Sequence, residues 1–141
     1  PSYARPYIYL GYIYQQLKQK DKAIEYFMGA IELFYANYLL DEVEYYTKLI
    51  INEIDPTYIY PYLLLERAYH EKGNYKDAME ASLYIDELCI QNEEDIQIYM
   101  LNIFHIGENA YFLHEYDSSK ELLLVYLKML EQNRDPVYET E

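Results

Sequence analysis

The chain has no tryptophan, one cysteine, four glycines and five prolines in 141 residues. Cys89 cannot form an internal disulfide, so a reducing, cytoplasmic setting is the expectation. So little glycine excludes collagen-like and flexible-linker character. No apolar run approaches the roughly 18 residues of a membrane span, and the N-terminal stretch lacks the regions of a signal peptide. Cations are scarce too: 11 Lys and Arg stand against 25 Asp and Glu, a formal charge of −14. Such a surface repels phosphate backbones, which argues against a nucleic-acid partner.

Apolar residues make up 52% of the chain, which excludes disorder and supplies a core. Tyrosine is in excess, with 21 residues. The chain starts at Pro1 and ends in Asp-Pro-Val-Tyr-Glu-Thr-Glu, and reads as a piece of a longer polypeptide.

Apolar residues recur at helical spacing between the prolines and glycines. Tyr7, Leu10, Tyr14 and Leu17 form one face of a first helix, with Pro6 in its opening turn. Asp21 opens a second, carrying Ile24, Phe27, Ile31, Phe34 and Tyr35. Asp41 and Glu44 have capping-box spacing and predict a third helix over 41–54. No Gly or Pro divides it from the second, so two helices or one bent helix both remain open. A fourth helix is predicted over 57–72, stopping at Gly73. Asn74 caps a fifth to about residue 90, Asn92 a sixth reaching toward His114, and Asp117 opens a seventh to about 133. No segment alternates as a strand would. The fold expected is all-α, with six or seven helices joined by short turns.

The chain also repeats itself. Pro6 to Tyr14 aligns with Pro61 to Tyr69, and Asp21-Lys22-Ala23-Ile24-Glu25 falls on Lys76-Asp77-Ala78-Met79-Glu80 without a gap. A weaker third copy sets Ala110-Tyr111 against Ala68-Tyr69 and Tyr116 with Ser119 against Tyr75 with Ala78, after the loss of one residue in the turn. Tyr7, Leu10, Gly11, Tyr14, Ala23, Phe27 and Ala30 carry the pattern in the first copy, and Tyr62, Leu65, Tyr69, Gly73, Tyr75 and Ala78 in the second. This pattern resembles the tetratricopeptide repeat family. The resemblance implies a solenoid of helical hairpins, about three repeats plus one extra helix at 41–54, in a single domain over 1–141. The copies lie 55 and 42 residues apart, against a family unit of about 34. Glu66 and Glu108 take the place of a small residue, and Ser82 that of an aromatic.

Catalytic signatures are missing: there is no phosphate-binding glycine loop, paired-cysteine zinc spacing or nucleophile motif. His105 and Glu108 share a helix face, but no second helix supplies converging ligands, so neither metal nor cofactor is expected. The seven tyrosines Tyr7, Tyr14, Tyr62, Tyr69, Tyr75, Tyr111 and Tyr116 fall on core positions of the repeat. Others, among them Tyr9, Tyr12, Tyr45, Tyr46 and Tyr60, lack such a place and suit a recognition surface. Residues 77–119 hold ten acids and no Lys or Arg, read either as a solvated, helix-capping surface or as a patch that steers a basic partner.

The resemblance implies a non-catalytic scaffold that binds a peptide or protein segment in a concave groove lined by the first helix of each unit. Helical spacing then assigns Tyr12, Gln15 and Gln16 to the groove in the first unit, and Tyr60, Leu63, Arg67 and His70 in the second. Asn102, His105, Asn109 and Phe112 follow in the third. Arg67 is the one cation this reading sets on the second unit's groove face, amid net negative charge, so a basic or neutral ligand is expected. The family's Lys/Asn clamp for a terminal carboxylate is not matched, since Ile8, Tyr12 and Leu63 hold its places. Self-association, or service as a regulatory or sensor segment of a larger enzyme or transcription regulator, is the alternative.

Overall fold

The computed structural model describes residues 3–92 and 96–133. Among them are seven α-helices: α1 (Ala4–Gln16), α2 (Lys20–Ala36), α3 (Leu40–Leu49), α4 (Ile59–Glu71), α5 (Tyr75–Asn92), α6 (Ile96–Phe112) and α7 (Tyr116–Gln132). They pack as sequential antiparallel pairs, the all-α architecture expected. Helices 21–36 and 41–54 are separate. The helix predicted over 41–54 is α3 followed by a wider π-helical turn, Ile50–Ile54. The acids Glu93, Glu94 and Asp95, assigned above to a first turn, lie outside the described residues, as does the tail after Asn133. The chain divides into two compact units, residues 1–81 and 82–141.

One turn recurs four times. Lys18, Tyr38, Gly73 and His114 each adopt a left-handed backbone, with φ of 61°, 57°, 79° and 63°. Around each, two backbone bonds close the preceding helix. Gln19 N–H reaches the Tyr14 carbonyl (2.9 Å) while Lys18 N–H reaches that of Gln15 (3.1 Å). The pairs Leu39–Phe34 with Tyr38–Tyr35, Asn74–Tyr69 with Gly73–His70, and Glu115–Ala110 with His114–Tyr111 repeat it. This is the Schellman arrangement, which satisfies carbonyls that a helix end leaves free. The next residue caps the following helix, its carbonyl accepting from Ala23, Val43, Ala78 or Ser119. All four of those acceptor-paired residues are buried.

The turn therefore sets the register of the repeat, and it corrects the sequence alignment of the third copy. Counted from the left-handed residue, the equivalents of Gly11 are Glu66 and Gly107, not Glu108. The third turn keeps the length of the others and has not lost the residue that the alignment removed, so Ala110, not Tyr111, stands where Tyr14 and Tyr69 stand. Tyr111, expected in the core, is consequently exposed, and Tyr116, which keeps its match to Tyr75, is exposed as well. A methyl group at Gly11 would stand 2.7 Å from the Phe27 ring, and one at Gly107 would stand 3.0 Å from Leu123, so both glycines permit close helix approach. Tyr7 is also more exposed than expected, because it lies across Gly29 at the edge of the α1–α2 pair.

The first unit's core is Ile24, Phe27, Ala30, Ile31 and Phe34 of α2, with Ala4, Val43, Ile50 and Ala68 closing on it. Fully burying a side chain such as Phe27 contributes about 1.5–3 kcal/mol. An aromatic seam runs through this core: Tyr12 meets Phe27 edge-on at 5.1 Å, and Phe34 stacks on Tyr46 at 5.7 Å. The capping box expected at Asp41 and Glu44 does not form. The turn makes Leu39 the cap, and both acids instead accept from Lys72 Nζ at 2.6 and 2.9 Å, tying α3 to the end of α4. Asp55 orders the α3–α4 link by accepting from Thr57 N–H (2.9 Å) and Thr57 Oγ1 (2.7 Å), and it pairs with Lys20 (3.0 Å).

Two outcomes follow. Left-handed backbone strains residues with a Cβ, so Tyr38→Gly should raise stability by about 0.5–1 kcal/mol, after glycine's greater unfolded freedom is subtracted. Gly73→Ala should lower it; urea unfolding midpoints measure both. Burial pushes the Glu44 carboxyl upward, yet hydrogen bonds from Lys48 and Lys72 outweigh it and hold it below its ordinary 4.5. Asp55 is likewise held below 3.8, chiefly by Thr57. Carboxyls depressed in the folded state stabilise above their unfolded values and lose that contribution as pH falls through them. Stability should therefore decline from about pH 5 downward, and Glu44→Gln should flatten part of that decline.

Candidate functional site

The end of α1, the last part of α3 and the turn after it line two neighbouring depressions in the first unit. A cleft of about 340 Å³ is lined by Gln15, Gln16, Lys18, Lys20, Ala23, Glu53 and Ile54. A second depression, about 210 Å³, is lined by Tyr45, Lys48, Leu49, Asn52 and Glu53. The two share Glu53. Helical spacing explains the second: Tyr45, Lys48, Leu49 and Asn52 step along one face of α3 while Val43, Thr47 and Ile50 are buried. The wider turn over 50–54 then carries Glu53 between the two depressions.

Tyr12 anchors this surface from beneath. Its hydroxyl is pushed up to about 12, first by burial, then by Tyr46 and Tyr45, with a hydrogen bond to Tyr45 and the Glu53 charge adding to it. Tyr12 is thus a neutral donor at any physiological pH. Lys48 lies over the Tyr69 ring at 5.5 Å and donates to Glu44 Oε1 at 2.8 Å. Its pKa is raised, mostly by the Glu44 hydrogen bond and then by Tyr69, so it stays cationic.

The structure treats the sequence-assigned residues unequally. Gln15 and Gln16 line this surface, half-buried and exposed respectively, while Tyr12 is half-buried beside Tyr45 and lines neither depression. Tyr60 is exposed and edge-on to Tyr58 at 5.4 Å, Leu63 is half-buried, and His70 packs against Tyr75 at 5.2 Å. Arg67 is not a free groove cation. Its Nε and Nη2 donate to the two carboxylate oxygens of Glu66 at 2.6 and 2.7 Å, and Glu66 is wholly buried. A buried carboxylate demands a partner, and the adjacent guanidinium supplies it.

In the second unit, Phe112 is exposed, but Asn102, His105 and Asn109 are buried, at 0%, 7% and 0% exposure. The assignment of Asn102, His105 and Asn109 to an open groove face is therefore corrected. The one-residue change in the register of the third copy places these positions inward. Asn102 Nδ2 donates to the Ser82 carbonyl at 2.8 Å, and Ser119 Oγ donates to the Gly107 carbonyl at 2.7 Å, so polar side chains tie α6 to its neighbours.

Lys48, Asn52 and Glu53 were not assigned from sequence because 41–54 counted as an extra helix outside the repeat. Tyr45, set apart as a tyrosine without a core position, was the available signal. Among the described residues no three His, Cys, Asp or Glu side chains gather as a metal site. No described helix is long and apolar enough to cross a membrane.

Residues 4–37, which are α1, α2 and the turn between them, match the family model of the tetratricopeptide repeat. That segment is similar to one tetratricopeptide repeat, and the all-α architecture is consistent with a tetratricopeptide-like helical array. Tetratricopeptide repeat domains generally mediate protein–protein interactions. No curated protein matches the chain.

Burial separates the two amide groups by effect. Asn102→Ala should destabilise the protein by about 1–3 kcal/mol, because it strips a buried carbonyl of its donor. Gln16→Ala, on the surface, should stay within about 0.5 kcal/mol. Chemical denaturation of the two variants measures the contrast.

Proposed function

We propose that the chain is a non-catalytic interaction module that holds an extended segment of a partner protein along the α1–α3 surface. The observation that carries this reading is the meeting of the two depressions at Glu53, which sets Gln15, Gln16 and Asn52 beside Tyr45 and Lys48. Amide side chains can pair with both the N–H and C=O of an extended backbone, while the tyrosine packs its side chains. Lys48, already paired with Glu44, leaves the surface with no net demand for an anion.

The wider electrostatics favour a basic or neutral segment. The formal charge is −14, and a cleft of about 420 Å³ along α2 carries Asp21, Glu25, Glu32 and Asp55. Such a field raises the approach rate of a cationic partner and fades with salt. Self-association is the second reading, favoured by the exposed apolar run Leu124, Val125, Leu127 and Leu130 on α7.

A peptide-display selection on the immobilised chain tests both. Selected peptides should be neutral or basic, and should bind Gln16→Ala/Asn52→Ala about tenfold more weakly than the parent, the equivalent of about 1.4 kcal/mol. Glu80→Ala should bind as the parent does. Peptides indifferent to the double variant would remove the α1–α3 surface from consideration. Sedimentation that shifts with protein concentration would favour self-association.

A further inference from the structure

We propose that the α6–α7 turn is a separate docking surface, an exposed aromatic cluster that receives a lysine or arginine side chain from a partner protein. Tyr111 and Phe112 end α6, His114 holds the left-handed position, and Tyr116 begins α7. Their rings form one cluster. Tyr111 lies 5.2 Å from Phe112 and 5.9 Å from Tyr116, and His114 lies 5.7 Å from Tyr116. A 2.8 Å hydrogen bond between His114 Nδ1 and the Tyr116 hydroxyl fixes two of these rings across the turn. Yet Tyr111 and Tyr116 are 54% and 56% exposed. Aromatic groups already oriented and still open to solvent lose little freedom on meeting a partner.

The chemistry of the occupant follows from a comparison of turns with the same backbone. In the α1–α2 turn, positions equivalent to His114, Tyr116 and Ser118 are Lys18, Lys20 and Lys22. There the chain supplies its own cation, with Lys22 over the Tyr14 ring at 5.2 Å. Lys48 over Tyr69 repeats the pairing within the first unit. The α6–α7 turn has the rings of His114 and Tyr116 in place of Lys18 and Lys20, and Ser118 in place of Lys22, and no Lys or Arg occurs anywhere from residue 77 to 119. Lys120, a turn further along α7, is the first cation after it.

Glu115 and Asp117 flank the rings and are exposed. An apolar ligand would cover these carboxylates and lose their hydration without return, whereas a cation keeps them paired and also meets the negative faces of the rings. The surface therefore selects a cationic side chain over an aliphatic one of equal size.

The probe is the hexapeptide Gly-Gly-Arg-Arg-Gly-Gly, with an otherwise identical peptide carrying norleucine for arginine, titrated into the whole chain and followed by the NMR signals of its aromatic rings. The arginine peptide should shift Tyr111 and Tyr116, and its binding should weaken as salt rises. Tyr111→Leu/Tyr116→Leu should bind at least about fivefold more weakly, while Tyr111→Phe, which keeps the π face, should bind nearly as the parent does. Glu115→Gln/Asp117→Asn provides an independent loss without touching the rings, and circular dichroism verifies that each variant is folded. Equal binding of the norleucine peptide, shifts confined to other residues, or parental affinity in the leucine variant would each overturn the proposal. So would concentration-dependent shifts of these rings without peptide, which would assign the turn to a second copy of the chain.

Discussion

A single left-handed residue between helices is the constraint on which the rest of the structure depends. It ends one helix by pairing its last carbonyls, and it fixes the residue that caps the next. The fourth residue of that next helix then always points inward, as Ala23, Val43, Ala78 and Ser119 do. Small residues suit that position because the helices are still close together as they leave the turn. Only Gly73 adopts the left-handed conformation without steric cost; Lys18, Tyr38 and His114 hold it against their own Cβ. The surrounding packing supplies what those three residues lack.

With the backbone of the turn held constant, side chains are free to diversify around it. At the α1–α2 turn the exposed positions carry lysines, and at the α6–α7 turn they carry aromatic rings and acids. The same exchange operates at the helix contact. Gly11 accommodates the Phe27 ring and Gly107 accommodates Leu123, while the sequence positions that match Gly11 and Phe27 in the second copy hold Glu66 and Ser82. A glutamate at that position is tolerated because Arg67, the next residue, neutralises it with two hydrogen bonds. The cost is that Arg67 no longer serves a ligand.

The buried amides of the second unit show a similar trade. Asn102 and Asn109 occupy places where an apolar side chain would pack at less risk. Through its bond to the Ser82 carbonyl, Asn102 links α6 to α5 at one defined height. Buried hydrogen bonds of this kind favour one register of packing over its neighbours, at some cost in stability. In the first unit Tyr12, Tyr45 and Glu53 interact without being sealed from solvent.

The helices, their order and most of their ends were legible in the sequence because helical periodicity and turn residues are local properties. The repeat was legible too, since Gly11, Tyr14, Ala23 and Phe27 recur in type if not in every copy. What could not be read locally was the phase of the third copy. A one-residue error in the length assumed for a turn leaves the apolar pattern nearly unchanged but rotates each helical position by about 100°. That rotation carried Asn102, His105 and Asn109 inside and brought Tyr111 out. Nor could the sequence show that Lys72 would take both acids expected to cap α3, or that Glu66 would claim Arg67, because each pairing depends on where a finished turn places its neighbours. Sequence by itself determined an all-helical chain of repeated hairpins with an acidic, tyrosine-rich surface. Tertiary structure alone decided which of those tyrosines, amides and cations remain available to a partner, since burial and pairing exist only after the helices have met.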